Sequence, residues 1–195
     1  LMYFDSHAHL DDPRFDADRD EIFAALAEQG PVMNVGCDLA SSERSVALAQ
    51  KYPFVYASVG SHPDDADHVD GKLLDAYRRL CAEKKVRAIG EIGLDYHYED
   101  VPRAQQIIAF EQQLELAEAL KLPVIVHERE AHGDAMDIVM RHPDVRGVFH
   151  CFSGSKEMAL WLVERGWYIG FTGVLTFKNA RRAVEAAQAL PLDRI

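Results

Sequence analysis

The sequence predicts an α/β fold, a (β/α)8 TIM barrel that stops before its eighth strand. Three observations predict it. Short apolar runs alternate with amphipathic segments along all 195 residues, with no linker or low-complexity break. The strand–helix units number seven, close to the eight that close a barrel. Histidine or acid also marks the ends of several different strands. A barrel gathers its chemistry at many strand ends, whereas an open doubly wound sheet holds its ligand at one switch point. A full barrel takes about 250 residues. Residues 1–195 therefore read as a single barrel domain whose C-terminal part, strand 8 included, is missing.

The elements follow in order. Strand 1 covers Met2 to Ser6, and an Asp-rich turn follows it. The first helix carries Ile22, Phe23, Leu26 and Ala27 on one face and stops at Gly30. Strand 2 is Val32 to Gly36; Ser41 or Ser42 then caps a helix with Val46 and Ala49 inside. Strand 3, Phe54 to Val59, ends in Gly60-Ser61-His62-Pro63. A helix with Leu73, Leu74, Tyr77, Leu80 and Cys81 leads to strand 4, Val86 to Ile92. Pro102 opens a long helix with the stripe Ile107, Phe110, Leu114 and Ala117. Strand 5 is Val124 to His127, followed by a helix burying Met136, Val139 and Met140. Strand 6 is Val145 to His150, and Ser153-Gly154-Ser155 starts a helix with Met158, Trp161 and Leu162. Strand 7 is Tyr168 to Thr172. Asn179 starts the last helix, with Val184 and Ala187 inside, and residues 191–195 lead into strand 8.

With 48% apolar and 27% charged residues the chain is globular rather than disordered. No run of 18 apolar residues occurs, and charge by Asp5 argues against a signal peptide, so a cytoplasmic protein without a membrane partner is expected. The three cysteines, Cys37, Cys81 and Cys151, show no redox or zinc spacing, which fits a reducing compartment. Cys151 reads as a small buried hydrophobe pointing away from the strand end. The net charge of −11 argues against coating nucleic acid with a basic surface, but not against gripping phosphates through cations. No basic stripe or stacking motif is legible, and no obligate protein partner is implied.

His7, His9, Glu91, His127 and His150 are the candidate metal ligands. In a strand, His7 and His9 share a face. Taken singly, His127 or His150 reads as a core or surface residue, whereas the His7/His9 pair reads as half a metal site; five such groups on four strands read as a ligand set. The mixed N/O donors suit zinc, manganese or iron, with magnesium where carboxylates and waters dominate. One catalytic ion usually takes three protein ligands, so five point to two divalent ions (Mg, Mn or Zn), with Glu91 as the bridge. Such a pair activates water without a Ser or Cys nucleophile. From the residues alone the chain is a metal-dependent hydrolase. His62 is a pocket group; His68, His97, His132 and His142 read as structural or solvated.

The stretches Asp5-Ser6-His7-Ala8-His9-Leu10, Gly60-Ser61-His62-Pro63, Gly90-Glu91-Ile92-Gly93-Leu94-Asp95-Tyr96, Leu122 to His127, Phe149 to Gly154 and Gly170 to Ala180 resemble the TatD-type metal-dependent deoxyribonucleases, a branch of the amidohydrolase-like barrels. They run through the whole chain in the family's order. The resemblance implies Mg- or Mn-dependent hydrolysis of DNA phosphodiesters, often from the 3′ end, with RNA a further substrate. It implies that His7 and His9 hold one ion, His127 and His150 the other, and that His62, Asp95 and Tyr96 line the substrate pocket. Three departures stand out. Glu128 replaces a common Ser, Asp64 replaces a frequent His, and the strand-8 Glu-Thr-Asp motif lies beyond Ile195. The catalytic Asp expected from that motif is thus unassigned. The alternatives are an amide, lactone or phosphotriester hydrolase of the same superfamily, or a non-catalytic metal-bound remnant.

Overall fold

The computed structural model describes residues 3–98 and 100–195. Seven strands alternate with seven helices: β1 (Asp5–Ala8), α1 (Arg19–Ala27), β2 (Val32–Val35), α2 (Leu39–Lys51), β3 (Val55–Val59), α3 (Gly71–Leu80), β4 (Val86–Asp95), α4 (Arg103–Leu120), β5 (Val124–Arg129), α5 (His132–Arg141), β6 (Gly147–Phe149), α6 (Lys156–Glu164), β7 (Tyr168–Ile169) and α7 (Arg181–Ala189). All neighbouring strands pair in parallel, in sequence order from β1 to β7. In a flat sheet β1 and β6 would lie about 24 Å apart, five spacings of about 4.8 Å. Instead the ring of His7 on β1 stacks on that of His150, just after β6, with centroids 3.8 Å apart. The sheet is therefore curled as a barrel wall. No helix among the described residues is long and apolar enough to cross a membrane.

Alternation along the strands sorts side chains into two layers. Val32, Ile89, Ile92, Val126, Phe149 and Ile169 face outward and bury Phe23, Tyr77, Phe110, Ile138 and Leu162 of the surrounding helices. Met33, Val35, Ala88 and Ile125 form a smaller inner cluster. Strand β4 breaks the alternation. Ile89 pairs with Val124 and Ile92 with Val126, so β4 has one residue more than β5 over that stretch. Both isoleucines thus face outward although they are three apart, and Glu91 between them turns inward. Gly90 makes this possible: its φ is +156°, and a Cβ there would lie 2.7 Å from the Ile125 Cβ.

Several expected boundaries shift. Strand β1 runs Asp5–Ala8, and Met2 falls outside the described residues. Strand β4 continues to Asp95, so Glu91 lies within it rather than at its end, while β6 and β7 are shorter than expected. Helix α2 is capped by Asp38, whose carboxylate accepts from the Ser41 amide while the Ser41 hydroxyl accepts from the Asp38 amide. Helix α5 buries Ala135, Ile138 and Val139 and exposes Met140; α7 buries Ala183 and Ala186 rather than Val184 and Ala187. In helices of nine or ten residues with few large apolar side chains, hydrophobicity alone does not fix the buried face. Residues Leu192–Arg194 form a 3-10 turn, not a strand.

Helix α4 buries Phe110, Leu114 and Ala117 as expected, but also Gln106 and Gln113. Each glutamine grips a backbone segment beside the inner cavity. Gln113 Oε1 accepts from the Ser61 amide at 2.7 Å and its Nε2 donates to the Ser61 carbonyl at 3.1 Å. Gln106 does the same to Asp95, at 2.9 Å in both directions. Replacing Gln113 with Leu leaves both Ser61 groups buried and unpaired, a cost of about 1–3 kcal/mol. A urea unfolding curve of Gln113→Leu should show a lower midpoint at unchanged slope; an unchanged midpoint would show that the clamp carries no stability.

Candidate metal centre

The turn after β1 is pinned from behind. Asn34 on the outer face of β2 accepts from the Leu10 amide at 2.5 Å and donates to Asp11 at 3.0 Å and Ser45 at 2.7 Å. The Arg19 guanidinium donates to the Leu10 carbonyl at 2.9 Å. His9, just before that turn, rests its Nδ1 3.2 Å from the Val35 carbonyl oxygen.

Glu91, 3% exposed, stands at the centre. Its Oε1 lies 3.0 Å from His127 Nδ1 and 2.5 Å from His150 Nε2. Its Oε2 lies 3.4 Å from His7 Nε2 and 3.9 Å from His9 Nε2. The structure thus brings together all five residues the sequence singled out as ligands. His62 joins them, its ring 4.4 Å from that of His127. These six share a cavity of about 530 Å³ whose rim carries Cys37, Asp38, Asp64 and Asp65.

The donor geometry suits cations. His7 and His9 bring their Nε2 atoms to 3.0 Å, and His127 Nδ1 and His150 Nε2 stand 3.2 Å apart. Two nitrogens on one ion at about 2.1 Å are separated by about 3.0 Å at an octahedral right angle and about 3.4 Å at a tetrahedral one. Donor atoms of His7, His9 and Glu91 lie within 4.8 Å of one another, as do those of His62, Glu91 and His127.

Charge states follow from burial and partners. Burial pushes the Glu91 carboxyl up, but hydrogen bonds from His127, His150 and His7 outweigh it and hold the group well below the usual range. Burial lowers His150 to about 4 and also lowers His62, so both are neutral imidazoles near neutral pH. For His127 burial is outweighed by Glu91 and Asp95, which raise its pKa above 6.5.

Other expected site residues take different places. Asp95 is buried with its Oδ2 2.9 Å from His127 Nε2, so it orients that ring from behind. Tyr96 faces the other way and donates its hydroxyl to Asp134 at 2.5 Å; it does not line the cavity. Glu128 also points away, accepting from the Ala131 amide and pairing with His132, so this departure leaves the cavity unaltered. Asp64 does reach the rim, its amide donating to His62 Nδ1 at 3.2 Å. His97 and His142 pair with acids outside the cavity, and His68, itself outside it, pairs with Asp65 of the rim. Cys151 is half-buried rather than buried, with Sγ 3.3 Å from Thr172 Oγ1. Sequence reasoning missed Cys37, whose Sγ lies 3.7 Å from Glu91 Oε2. It lies two residues past the end of β2, so the strand-end rule that found the histidines would have found it too.

If His127 Nδ1 takes a cation, a proton must leave it, because Glu91 and Asp95 raise that imidazole above its ordinary value. Manganese affinity should therefore rise with pH up to the His127 pKa and level off beyond it. Calorimetric titration at pH 6.5 in two buffers of different ionisation enthalpy should report proton release; identical heats in both would contradict the assignment.

The family described as TatD related DNase matches residues 4–195. The chain is 38% identical over 198 residues to the uncharacterized metal-dependent hydrolase YabD of Bacillus subtilis, covering all of this chain and 78% of that protein. It is 35% identical over 193 residues to the 3′-5′ ssDNA/RNA exonuclease TatD of Cronobacter turicensis, covering 97% and 73%. The crystal structure of YjjV, a TatD homologue from Escherichia coli, superposes with a TM-score of 0.90 at 32% identity, covering 98% of this chain and 76% of that one. The chain belongs to the TatD-related DNase family of metal-dependent hydrolases, with seven strands of its barrel in place.

Proposed function

We propose that the chain hydrolyses phosphodiester bonds of DNA, as a 3′–5′ exonuclease on single strands that also accepts RNA, with two divalent cations at its centre. The observation that carries the two-ion reading is the division of Glu91. Oε1 faces His127 and His150, and Oε2 faces His7 and His9. In this reading each histidine pair holds one cation and Glu91 joins them. Manganese, zinc or magnesium suits such a mixed donor set. Bound cations would lower the pKa of a water molecule and offset the charge of the phosphodiester.

The chain's own residues do the rest. Asp95 accepts the His127 Nε2–H and so leaves the Nδ1 lone pair aimed at the centre. His62 accepts the Asp64 amide at Nδ1, so its neutral ring carries the proton on Nε2. That N–H is a donor for a phosphate oxygen, which supports a substrate-binding role. The choice of nucleic acid is supported by the Cronobacter turicensis relative, named for single-stranded DNA and RNA.

The test is cleavage of a 5′-labelled single-stranded DNA with manganese, with magnesium, and with a chelator. Expected is a metal-dependent ladder shortening from the 3′ end. Glu91→Gln should lower the rate by about 100-fold or more, and Asp95→Asn by about 10–100-fold. Protein that binds both cations and leaves every DNA and RNA strand intact would overturn the reading.

A further inference from the structure

The loop after β4 carries an arrangement that plays no part in holding cations. Tyr98, three residues beyond Asp95, projects a ring that is 51% exposed. One face is backed by the guanidinium of Arg129, 5.2 Å from the ring centroid, and the His97 ring meets it edge-on at 4.8 Å. Arg129 ends the strand that carries His127. Beside this pair the Arg103 guanidinium lies 4.3 Å over the ring of Tyr96. Tyr96, Tyr98, Val101, Pro102 and Arg103 line a cleft of about 200 Å³, room for one planar heterocycle but not for a duplex. The loop is held in place by Tyr96 on Asp134 and His97 on Glu130.

We propose that Tyr98, backed by Arg129, is the platform on which a nucleobase of a single-stranded substrate stacks, on the loop that follows the strand carrying Glu91 and Asp95. This rests on the nucleic-acid reading above and adds the contact that grips the strand. A chain of net charge −11 draws little affinity from counterion release at its surface. Stacking serves instead, because every base offers a π-face whatever the sequence, and a cation beneath the ring strengthens the contact. The Tyr98 ring meets these needs: it is aromatic, half exposed to solvent and backed by a cation. Single strands present unstacked bases to such a ring; duplexes do not.

The experiment compares KM for a single-stranded oligonucleotide with KM for the same strand made abasic over its last 3′ nucleotides, in wild type, Tyr98→Ala and Tyr98→Phe. Wild type should favour the base-bearing strand by about tenfold in KM. Tyr98→Ala should reduce that ratio to about one through a higher KM for the base-bearing strand, and Tyr98→Phe should keep it. If wild type cleaves DNA but Tyr98→Ala keeps the wild-type ratio, or loses kcat alike on both strands, the platform is wrong and the nuclease reading stands. If wild type cleaves no nucleic acid, both fall.

Discussion

A negative charge removed from water must be matched, and in this protein the charge of Glu91 governs everything around it. A carboxylate 3% exposed would cost several kcal/mol if left alone. Here it is met by imidazoles from β1, β5 and the residue after β6. To supply them the sheet must curl until His7 touches His150, and β4 must take on an extra residue to turn the carboxylate inward. Curvature, bulge and the bare backbone at Gly90 together bring that charge and its partners to one place.

The imidazoles around that charge are held in two different ways. His127 is fixed from behind by Asp95, and His9 by a backbone carbonyl. The Nδ1 atoms of His7 and His150 have no hydrogen-bond partner among the described residues. These two rings stack on each other and turn only their Nε2 atoms toward Glu91.

The alternation of strands and helices was legible in the sequence because apolar periodicity records which face is buried. The four histidines were legible because strand ends in a barrel converge; Glu91 was read as a strand end but lies inside β4. Gln106 and Gln113 were not, since an apolar stripe gives no sign of a polar side chain buried to grip a neighbouring backbone. The inward turn of Glu91 within a longer strand was hidden as well: a bulge is a property of pairing between strands, and neither strand alone encodes it. The roles of Asp95 and Tyr96 parted for a simpler reason, as adjacent residues leave a strand on opposite sides.

The two glutamines of α4 stand seven positions apart, two turns and about 10.5 Å along the helix axis. One holds the backbone before His62, the other the backbone of Asp95. The helix thus acts as a gauge block laid across two loops. If α4 slides along its axis, both anchor points travel by the same amount, so the outer layer passes translation to the centre but resists stretching it. The interval between the two walls of the cavity is carried by the stiffest object nearby, a single helix, rather than by the loops that line it.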